Sequence, residues 1–262
     1  MSSLDLSLSL DAAGPGLSRA IADPAYEANT GMFGGWTAAL LMKASLAHPS
    51  AEGSPSALTV NFVKRVPPGA ALDLRTERVG GGRSISHWRT SLYLDGESEA
   101  AAVSSVVMTN RRETDRRTEM KMPAAPAPES LPLSGPPPPF GVHMDMRYAI
   151  GGVPFMQPTT RSLAWQREIS GRPVDAAQLA FLADLGWPRV FAISEGPRAS
   201  STITMSVYFL ATDDEIAAVG DDYVLCDMIG TKIEASLVGT KSDLWSAGGN
   251  LLATTEQLCW IR

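Results

Sequence analysis

The chain has 262 residues, a length that predicts one large domain or two small ones. Apolar residues make up 44% and charged residues 19%, and this composition excludes a wholly disordered chain. The 22 basic and 28 acidic side chains give a net charge of -6. That charge disfavours a nucleic-acid-binding protein, because neutralising a phosphate backbone needs a concentrated positive surface.

Cysteine and histidine are scarce. The two cysteines are Cys226 and Cys259, and the three histidines are His48, His87 and His143. These numbers do not predict a disulfide framework, and the spacings do not match those of a metal site. The first ten residues lack the features of a secretory signal, and no run approaches the ~18 apolar residues of a membrane helix. We therefore expect a cytoplasmic protein with no metal or other cofactor and no contact with membranes.

The first half of the chain predicts one helix followed by antiparallel strands. Residues 34–49 are apolar on nearly every side, as in a buried helix, and Pro49 ends that stretch. Turn signals follow at Gly80-Gly81-Gly82 and at Asp95-Gly96. Alternating apolar residues predict four strands, at residues 58–63, 71–79, 83–94 and 100–108.

Residues 121–140 contain eight of the 19 prolines in the chain. Proline removes backbone donors and fixes φ, so this stretch can form neither a helix nor a central strand. It predicts an extended, semi-rigid linker between an N-terminal domain at residues 1–120 and a C-terminal domain at residues 141–262.

The second half repeats the order of the first. Residues 175–186 predict a buried helix with Asp175 as the N-cap and Gly186 at the C-terminal end. A turn is predicted at Gly248-Gly249-Asn250. The predicted strands are residues 201–210, 223–228, 232–238 and 251–260. A long helix wrapped by a curved antiparallel sheet is an α+β arrangement, and the chain predicts two tandem copies of it.

Asp184 is the first candidate for a role in chemistry. It shares one face of the second helix with Ala177, Ala180 and Phe181. A carboxylate on an apolar face at the C-terminal end of a helix has a raised pKa, which is the environment of a general base. The alternative is that the helix frays there and Asp184 is solvated before Gly186.

Gln257 and Thr202 are weaker candidates taken singly. Gln257 is an amide on a face of the last strand and needs a hydrogen-bond partner, which the sheet edge alone could supply. Strict alternation puts Thr202 on the face away from the main core, beside either solvent or a cleft between the halves.

Taken together, these residues and their order along the chain resemble the acyl-CoA thioesterase II family, the double-hotdog thioesterases. The resemblance covers about residues 32–260. The matching elements are the Gly34-Gly35 helix start, residues 62–69 (FVKRVPPG), Gly82-Arg83-Ser84, Asp95-Gly96, residues 182–184 (LAD), residues 201–203 (STI) running into Tyr208-Phe209, and residues 252–257 (LATTEQ). It implies a tandem double hotdog in which each half wraps one central helix in a curved sheet. It also implies an acyl-CoA substrate and a homodimer of double-hotdog units.

The resemblance further implies that Asp184, Thr202 and Gln257 hold the attacking water, with Asp184 as the general base and no covalent acyl-enzyme. One departure is that relatives often carry an Asp-His pair two residues after the threonine, where this chain has Thr204-Met205. A histidine found in the first-half strand of some relatives is also absent from residues 58–63. The missing pair bears on the substrate more than on the reaction, and the missing histidine excludes any mechanism that needs a histidine in that first-half strand.

Two further sets of residues are candidates for substrate binding. The oxyanion of a thioester needs N–H donors, and the helix start at Gly34, Gly35 and Trp36 could supply them; close helix–sheet packing is the alternative role of the glycines. Arg111 and Arg112 belong to the densest basic cluster, which either contacts the phosphates of coenzyme A or forms a solvated surface.

Other functions receive less support. A hotdog hydratase needs a histidine near the central helix, and no histidine has that position. A serine hydrolase needs G-x-S-x-G, which is absent, as are G-x-G-x-x-G and the P-loop. A non-catalytic hotdog protein that binds acyl-CoA or an acyl chain stays open as the alternative.

Overall fold

The computed structural model describes residues 3–135, 139–152 and 155–262, so three prolines of the predicted linker, residues 136–138, lie outside the described residues. The α-helices in these ranges are α1 (Ser3–Ser7), α2 (Gly34–Leu46), α3 (Ala176–Leu182), α4 (Arg189–Ile193) and α5 (Asp213–Ala217). The strands are β1 (Asp11–Gly14), β2 (Leu17–Ile21), β3 (Glu27–Ala28), β4 (Gly31–Met32), β5 (Ser54–Phe62), β6 (Ala71–Gly81), β7 (Ile85–Leu94), β8 (Ala100–Thr109), β9 (Met144–Ile150), β10 (Ser162–Glu168), β11 (Ser200–Phe209), β12 (Val224–Glu234), β13 (Leu237–Ser246) and β14 (Leu251–Ile261). None of the helices in these ranges has the length and apolarity needed to cross a membrane.

Twelve of the strands form one antiparallel sheet, in the order β1-β2-β6-β7-β8-β5-β11-β14-β13-β12-β10-β9. The order is symmetric about the β5–β11 pair, since each strand of the first half has a counterpart in the second. Helix α2 packs on α3 and on strands β5 to β8. The predicted α+β class is therefore confirmed, with a large antiparallel sheet and few helices.

Irregularities in the ladders recur at matching places in the two halves. The register shifts between Pro55 and Ala57 in the β5–β8 ladder and between Thr202 and Thr204 in the β11–β14 ladder. Other matching shifts are those of β6–β7 and β12–β13, at Arg78/Gly80 and Gly230/Lys232, and those of β7–β8 and β13–β14, at Leu92/Tyr93 and Leu244/Trp245. A bulge bends its strand and re-aims nearby side chains. The shared bulges make residue-by-residue comparison of the halves possible.

Helix α2 is buried on nearly all sides, as its sequence predicts. Its start at Gly34 also agrees with the prediction. Trp36 is fully buried, and its Nε1 donates to Ser7 Oγ of α1 at 2.7 Å. The N-cap residue, Phe33, makes no side-chain capping hydrogen bond. The backbone N–H groups in the first turn of α2 are therefore available to donate to a neighbouring anion.

Helix α3 begins as predicted and ends earlier. The Asp175 side chain accepts from the backbone N–H of Gln178 at 2.8 Å, as an N-cap does. The helix ends at Leu182, and the N–H groups of Asp184 and Leu185 then bond to carbonyls three residues back. This tighter turn carries Asp184 beyond the helix proper.

The predicted strands at residues 223–228 and 232–238 are wrong in their boundaries. The chain runs as one strand through β12, and a two-residue hairpin then leads into β13. The loop residues Ala235 and Ser236 have φ of 49° and 64°, as a type I′ turn requires. Such turns favour glycine and asparagine, so an Ala-Ser pair gives no turn signal in the sequence.

The described part of the proline-rich segment contacts the second half. Its described part forms neither α-helix nor strand, apart from a 3-10 turn at Pro128–Ser130. Trp165 Nε1 donates to Pro126 O at 2.8 Å, and Arg147 Nη1 donates to Leu131 O at 3.0 Å. These bonds hold the segment against β9 and β10.

Arg111 ties the two halves together beside the β5–β11 pair. Its guanidinium donates to the carbonyls of Phe209 and Ala211, each at 2.6 Å, and to those of Leu210 and Pro55 at 3.1 and 3.2 Å. One charged group thus satisfies backbone acceptors from both halves.

Arg111→Ala is expected to lower the free energy of unfolding by about 2 kcal/mol, because four carbonyls lose a charged donor. Urea denaturation followed by circular dichroism measures the change. Arg112→Ala is the matched control, since the Arg112 guanidinium is exposed and donates to Ser84 Oγ at 3.3 Å. Equal destabilisation by both substitutions would contradict the assignment of Arg111 as a clamp.

Candidate active site

A cavity of about 750 Å³ opens where the start of α2 meets the turn after α3. This volume is typical of a small-molecule site. Gly34 and Asp184 come from the two helix ends, while Thr202 and Gln257 come from β11 and β14. Aromatic side chains, including the stacked pair Phe33 and Phe140, supply apolar wall.

Asp184 and Gln257 are in direct contact. Gln257 Nε2 donates to Asp184 Oδ1 at 3.1 Å and to the carbonyl of Ala183 at 3.1 Å. The Asp184 carboxylate also accepts from the backbone N–H of Gly35 in the first turn of α2. The two halves therefore meet at this carboxylate, because α2 belongs to one and Asp184 and Gln257 to the other.

Position 34 has no room for a side chain. A Cβ built on Gly34 would lie 2.5 Å from Asp184 Oδ2, closer than real Cβ contacts. Glycine at this position lets the carboxylate approach the helix start closely.

Burial raises the pKa of Asp184 from its ordinary 3.8 to about 7. The hydrogen bonds from Gln257 and from the Gly35 N–H act in the opposite direction, because they favour the charged form. A carboxylate with a pKa near 7 can accept a proton from water at neutral pH.

Thr202 lies on the inner face of the sheet, so the prediction from strict alternation is wrong. The bulge between Thr202 and Thr204 inserts Ile203 as an extra residue. Thr202 pairs with Cys259, and Met205 pairs with Gln257. Because Cys259 and Gln257 are two residues apart on β14, Thr202 shares their face and lines the cavity.

Cys259 is a cavity residue that the sequence did not single out. Its Sγ donates to Gln257 Oε1 at 3.8 Å and lies 3.7 Å from Thr202 Oγ1. Burial raises the pKa of this thiol to about 11, so it stays protonated. The sequence signal for Cys259 was its spacing of two residues from Gln257, because residues two apart on a strand such as β14 lie on the same face.

The three residues predicted as oxyanion donors have different surroundings. Gly34 lines the cavity. The N–H of Gly35 is bonded to Asp184, and the Trp36 side chain is directed into the core toward Ser7. The Asp184 carboxylate therefore already accepts from the Gly35 N–H, and the Trp36 side chain packs in the core, while oxyanion donation by the backbone N–H groups of this helix start stays a prediction.

Arg111 and Arg112, the predicted phosphate contacts, lie outside this cavity. Neither residue is part of the cavity wall as described. Arg111 is bonded to the carbonyls that join the halves, and Arg112 lies beside Ser84. A dense run of basic residues in a sequence does not show which acceptors those residues bond to in the folded chain.

Other cations lie at this cavity. Lys64 lines it but pairs with Glu97 at 2.8 Å and with Glu99 at 3.0 Å. Arg65 and Arg198 also line it, and within the described ranges neither forms an ion pair with an Asp or Glu side chain. Arg198 Nε donates to the backbone oxygen of Arg262 at 3.0 Å. Arg65 and Arg198 are exposed residues and can meet a phosphate.

The matching place in the first half lacks the same groups. Counted along the ladders from the shared bulges, the equivalent pairs are Thr202 and Pro55, Gln257 and Val106, Thr240 and Trp88, and Cys259 and Met108. Proline and valine cannot hold a water molecule through side-chain hydrogen bonds. The fully buried Trp88 also stands where the second half has the smaller Thr240.

The polar groups of the cavity are suited to activating water. A carboxylate with a pKa near 7, an amide and a hydroxyl surround one end of it. Among the residues that the structure describes, no group of three or more His, Cys, Asp or Glu side chains could hold a metal ion.

Comparison with protein families matches the chain in two parts. Residues 22–109 match the acyl-CoA thioesterase N-terminal domain, and residues 119–261 match the acyl-CoA thioesterase C-terminal domain. No curated protein sequence matches the chain.

Solved structures match over nearly the whole chain. A conserved protein of unknown function with a hot dog fold from Alicyclobacillus acidocaldarius is 31% identical, with a TM-score of 0.95 and coverage of 100% of this chain and 98% of that one. The TesB protein of Mycobacterium avium subsp. paratuberculosis is 20% identical (TM-score 0.82, coverage 99% and 98%). An acyl-CoA thioesterase II from Mycobacterium marinum is 17% identical (TM-score 0.79, coverage 99% and 98%). The last two likenesses show the fold alone.

Gly34→Ala is expected to displace the Asp184 carboxylate and to reduce turnover at least about tenfold, because the added Cβ overlaps Oδ2. Steady-state kinetics with an acyl-CoA measures the loss. Gly80→Ala is the control, since a Cβ there meets nothing within 4 Å. Unchanged activity of Gly34→Ala would show that the carboxylate need not lie against the helix start.

Asp184→Asn is expected to stabilise the protein near pH 8 by about 2 to 4 kcal/mol and to have little effect near pH 4. The folded-state pKa of about 7 exceeds the ordinary 3.8. As pH rises between these values, the unfolded chain releases this proton first, so the native protein loses stability. Asparagine stays neutral and avoids the loss.

Urea denaturation of both proteins near pH 4 and near pH 8 tests this expectation. Asp95→Asn, in an exposed turn, serves as the control. A stabilisation by Asp184→Asn that is the same at both pH values would contradict the raised pKa.

Proposed function

The chain belongs to the acyl-CoA thioesterase family, and from that premise we propose that it hydrolyses an acyl-CoA thioester by direct attack of a water molecule that Asp184 deprotonates. The chain is a thioester hydrolase by its family, while the specific site and steps are our proposal. The observation that carries the proposal is the Asp184 carboxylate, whose pKa burial raises to about 7 beside the start of α2 and the amide of Gln257.

In the proposed reaction, the water oxygen bonds to the thioester carbonyl carbon while Asp184 takes a proton from the water. The C–S bond then breaks, and the proton on Asp184 passes to the departing thiolate of coenzyme A. The products are a free acid and a thiol. A general base with a pKa near the working pH contributes most to such a step.

Gln257 and Thr202 position the attacking water. The Gln257 amide is fixed by its bonds to Ala183 and Asp184, and the Cys259 thiol contacts both Gln257 and Thr202. Because both Nε2 hydrogens are bonded, Gln257 offers its Oε1 as an acceptor, and fixed polar groups hold water in one orientation and so reduce the entropy lost on reaching the transition state.

The thioester oxygen needs a donor for its developing charge. We assign this role to the helix start at Gly34, which lines the cavity and has no side chain to block approach. The absence of a capping side chain at Phe33 and the positive end of the α2 dipole support the assignment.

The same cavity offers places for both ends of the substrate. Phe33, Phe62 and Phe140 form apolar wall that suits an acyl group. Arg65 and Arg198 are exposed cations of the cavity wall that pair with no Asp or Glu side chain among the described residues, and they suit the phosphates of coenzyme A.

We also propose that each half is one hotdog and that the pair forms a tandem double hotdog with a single active cleft. The symmetric strand order, the matching bulges and the hot dog relative support this arrangement. Val106, Pro55 and Trp88 at the equivalent positions support the single cleft.

Asp184→Asn is expected to lower kcat by at least about 100-fold, because the amide cannot accept the proton of water. In the wild type, kcat/KM should rise with pH and level off above about 7, since the ionised carboxylate is the active form. Gln257→Leu should move this rise to higher pH, because Gln257 lowers the pKa of Asp184. Thiol release from a panel of acyl-CoA substrates measures each quantity.

Asp95→Asn, in the exposed turn, is the control and should keep wild-type kinetics and the wild-type pH profile. Wild-type activity in Asp184→Asn would remove Asp184 as the base. Binding of acyl-CoA without turnover by the wild-type chain would favour a non-catalytic acyl-CoA-binding protein.

A further inference from the structure

A second cavity, of about 360 Å³, opens in the first half of the chain. Met108 in its wall is the counterpart of Cys259 in the active cavity, as the register of the two ladders shows. Trp88 fills the space that Thr240 leaves open in the other half. The second cavity therefore corresponds to the outer part of a substrate cleft whose inner part is closed.

The wall of this cavity is basic, although the whole chain is acidic. Arg78 and Arg83 line it, and Arg112 is attached to it through the 3.3 Å bond to Ser84 Oγ. Within the described ranges, none of these three arginines forms an ion pair with a carboxylate. Glu52 is the acidic residue of the wall. The wall itself carries two cations and one anion, and Arg112 beside it adds a third cation.

Hydrogen bonds hold the cations around the opening. Arg78 Nη2 donates to Gly81 O at 3.1 Å, and Asn110 Nδ2 donates to Arg83 O at 2.7 Å. Ser86 Oγ accepts from Trp88 Nε1 at 2.9 Å, so its own proton remains available as a donor. The Arg78 and Arg112 guanidinium groups each use one nitrogen in these bonds, Nη2, so further N–H donors remain for a ligand.

We propose that this cavity is a second, non-catalytic ligand site that binds the phosphate groups of a nucleotide, with Arg78, Arg83 and Arg112 as the ligands of the phosphates. The equivalence of the two clefts rests on the proposed tandem repeat. Planar guanidinium groups pair with phosphate oxygens through two bonds at once. The residual volume suits a pyrophosphate group, while Trp88 leaves no space for an acyl chain. Coenzyme A is the nucleotide that the proposed reaction releases.

Calorimetric titration of the full chain with coenzyme A, ADP, pyrophosphate and inorganic phosphate tests the proposal. The wild type should bind two coenzyme A molecules per chain, and Arg83→Ala/Arg112→Ala should bind one. Pyrophosphate affinity should fall at least about tenfold in that double variant, because a charged hydrogen bond is lost at each position. Glu52→Gln should strengthen pyrophosphate binding, since it removes the anion from the wall.

Arg19→Ala/Arg89→Ala is the matched control, because it removes the same charge from two exposed arginines that pair with Asp73 and Glu77. It should keep both sites. Tight binding of ADP and pyrophosphate would assign the phosphates as the recognised group, while tight binding of coenzyme A alone would add a pantetheine contact to the same phosphate site. One coenzyme A per wild-type chain, or equal loss of pyrophosphate affinity in both double variants, would overturn the proposal.

Kinetics separate this proposal from the proposed function. Arg83→Ala/Arg112→Ala should keep the wild-type kcat/KM for acyl-CoA, because neither residue lines the active cavity. Normal turnover with one bound coenzyme A would remove the second site alone. Absence of turnover in the wild type would remove the proposed function, while the pyrophosphate comparison would still decide the second site.

Discussion

The structure of the site depends on one constraint: a carboxylate that is largely removed from water must lie against the start of a helix. Transfer of Asp184 away from water favours its neutral form, and among the described residues two donors oppose this, the amide of Gln257 and the backbone N–H of Gly35. To bring the groups together, α3 ends at Leu182 and the next turn carries Asp184 to α2. Glycine at position 34 removes the side chain that would stand in the way.

The same constraint divides the work between the halves. The first half contributes the helix start, and the second contributes Asp184, Gln257 and Thr202, so neither half holds all the groups that the proposed reaction needs. At the matching place in the first half, β5 has the same bulge as β11, but Pro55 occupies the position that Thr202 occupies in β11. The backbone framework was therefore retained in both halves, while the polar side chains differ. Arg111 and the β5–β11 pair hold the halves in register, which fixes the distance between the helix start and the carboxylate.

The sequence predicts the parts of the molecule that local patterns determine. The apolar helix at Gly34, the N-cap at Asp175 and most of the hairpins follow from periodicity and turn residues, and the α+β class follows from their order. The inner position of Thr202 could not be predicted, because a bulge reverses alternation and depends on pairing with a distant strand. The hairpin at Ala235-Ser236 carries no turn residues, and short strands such as β1 and β9 gain their order from neighbours in the sheet. The partners of Arg111 are carbonyls 56 to 100 residues away in sequence, which no local pattern reveals.

The pKa of Asp184 depends on which groups lie beside its carboxylate. A guanidinium within about 4 to 6 Å would lower the pKa of a carboxylate by about 1 to 3 units and leave a poor base at neutral pH. The causes that act on the pKa of Asp184 are burial and two neutral donors, and no charged neighbour is among them in the described part of the chain. The cations that line the cavity are Lys64, Arg65, Arg189 and Arg198, and none of them is among the causes that act on the pKa of Asp184. Separation of the cations from the base lets one cavity attract a polyanionic substrate and still keep a carboxylate that takes up protons near neutral pH.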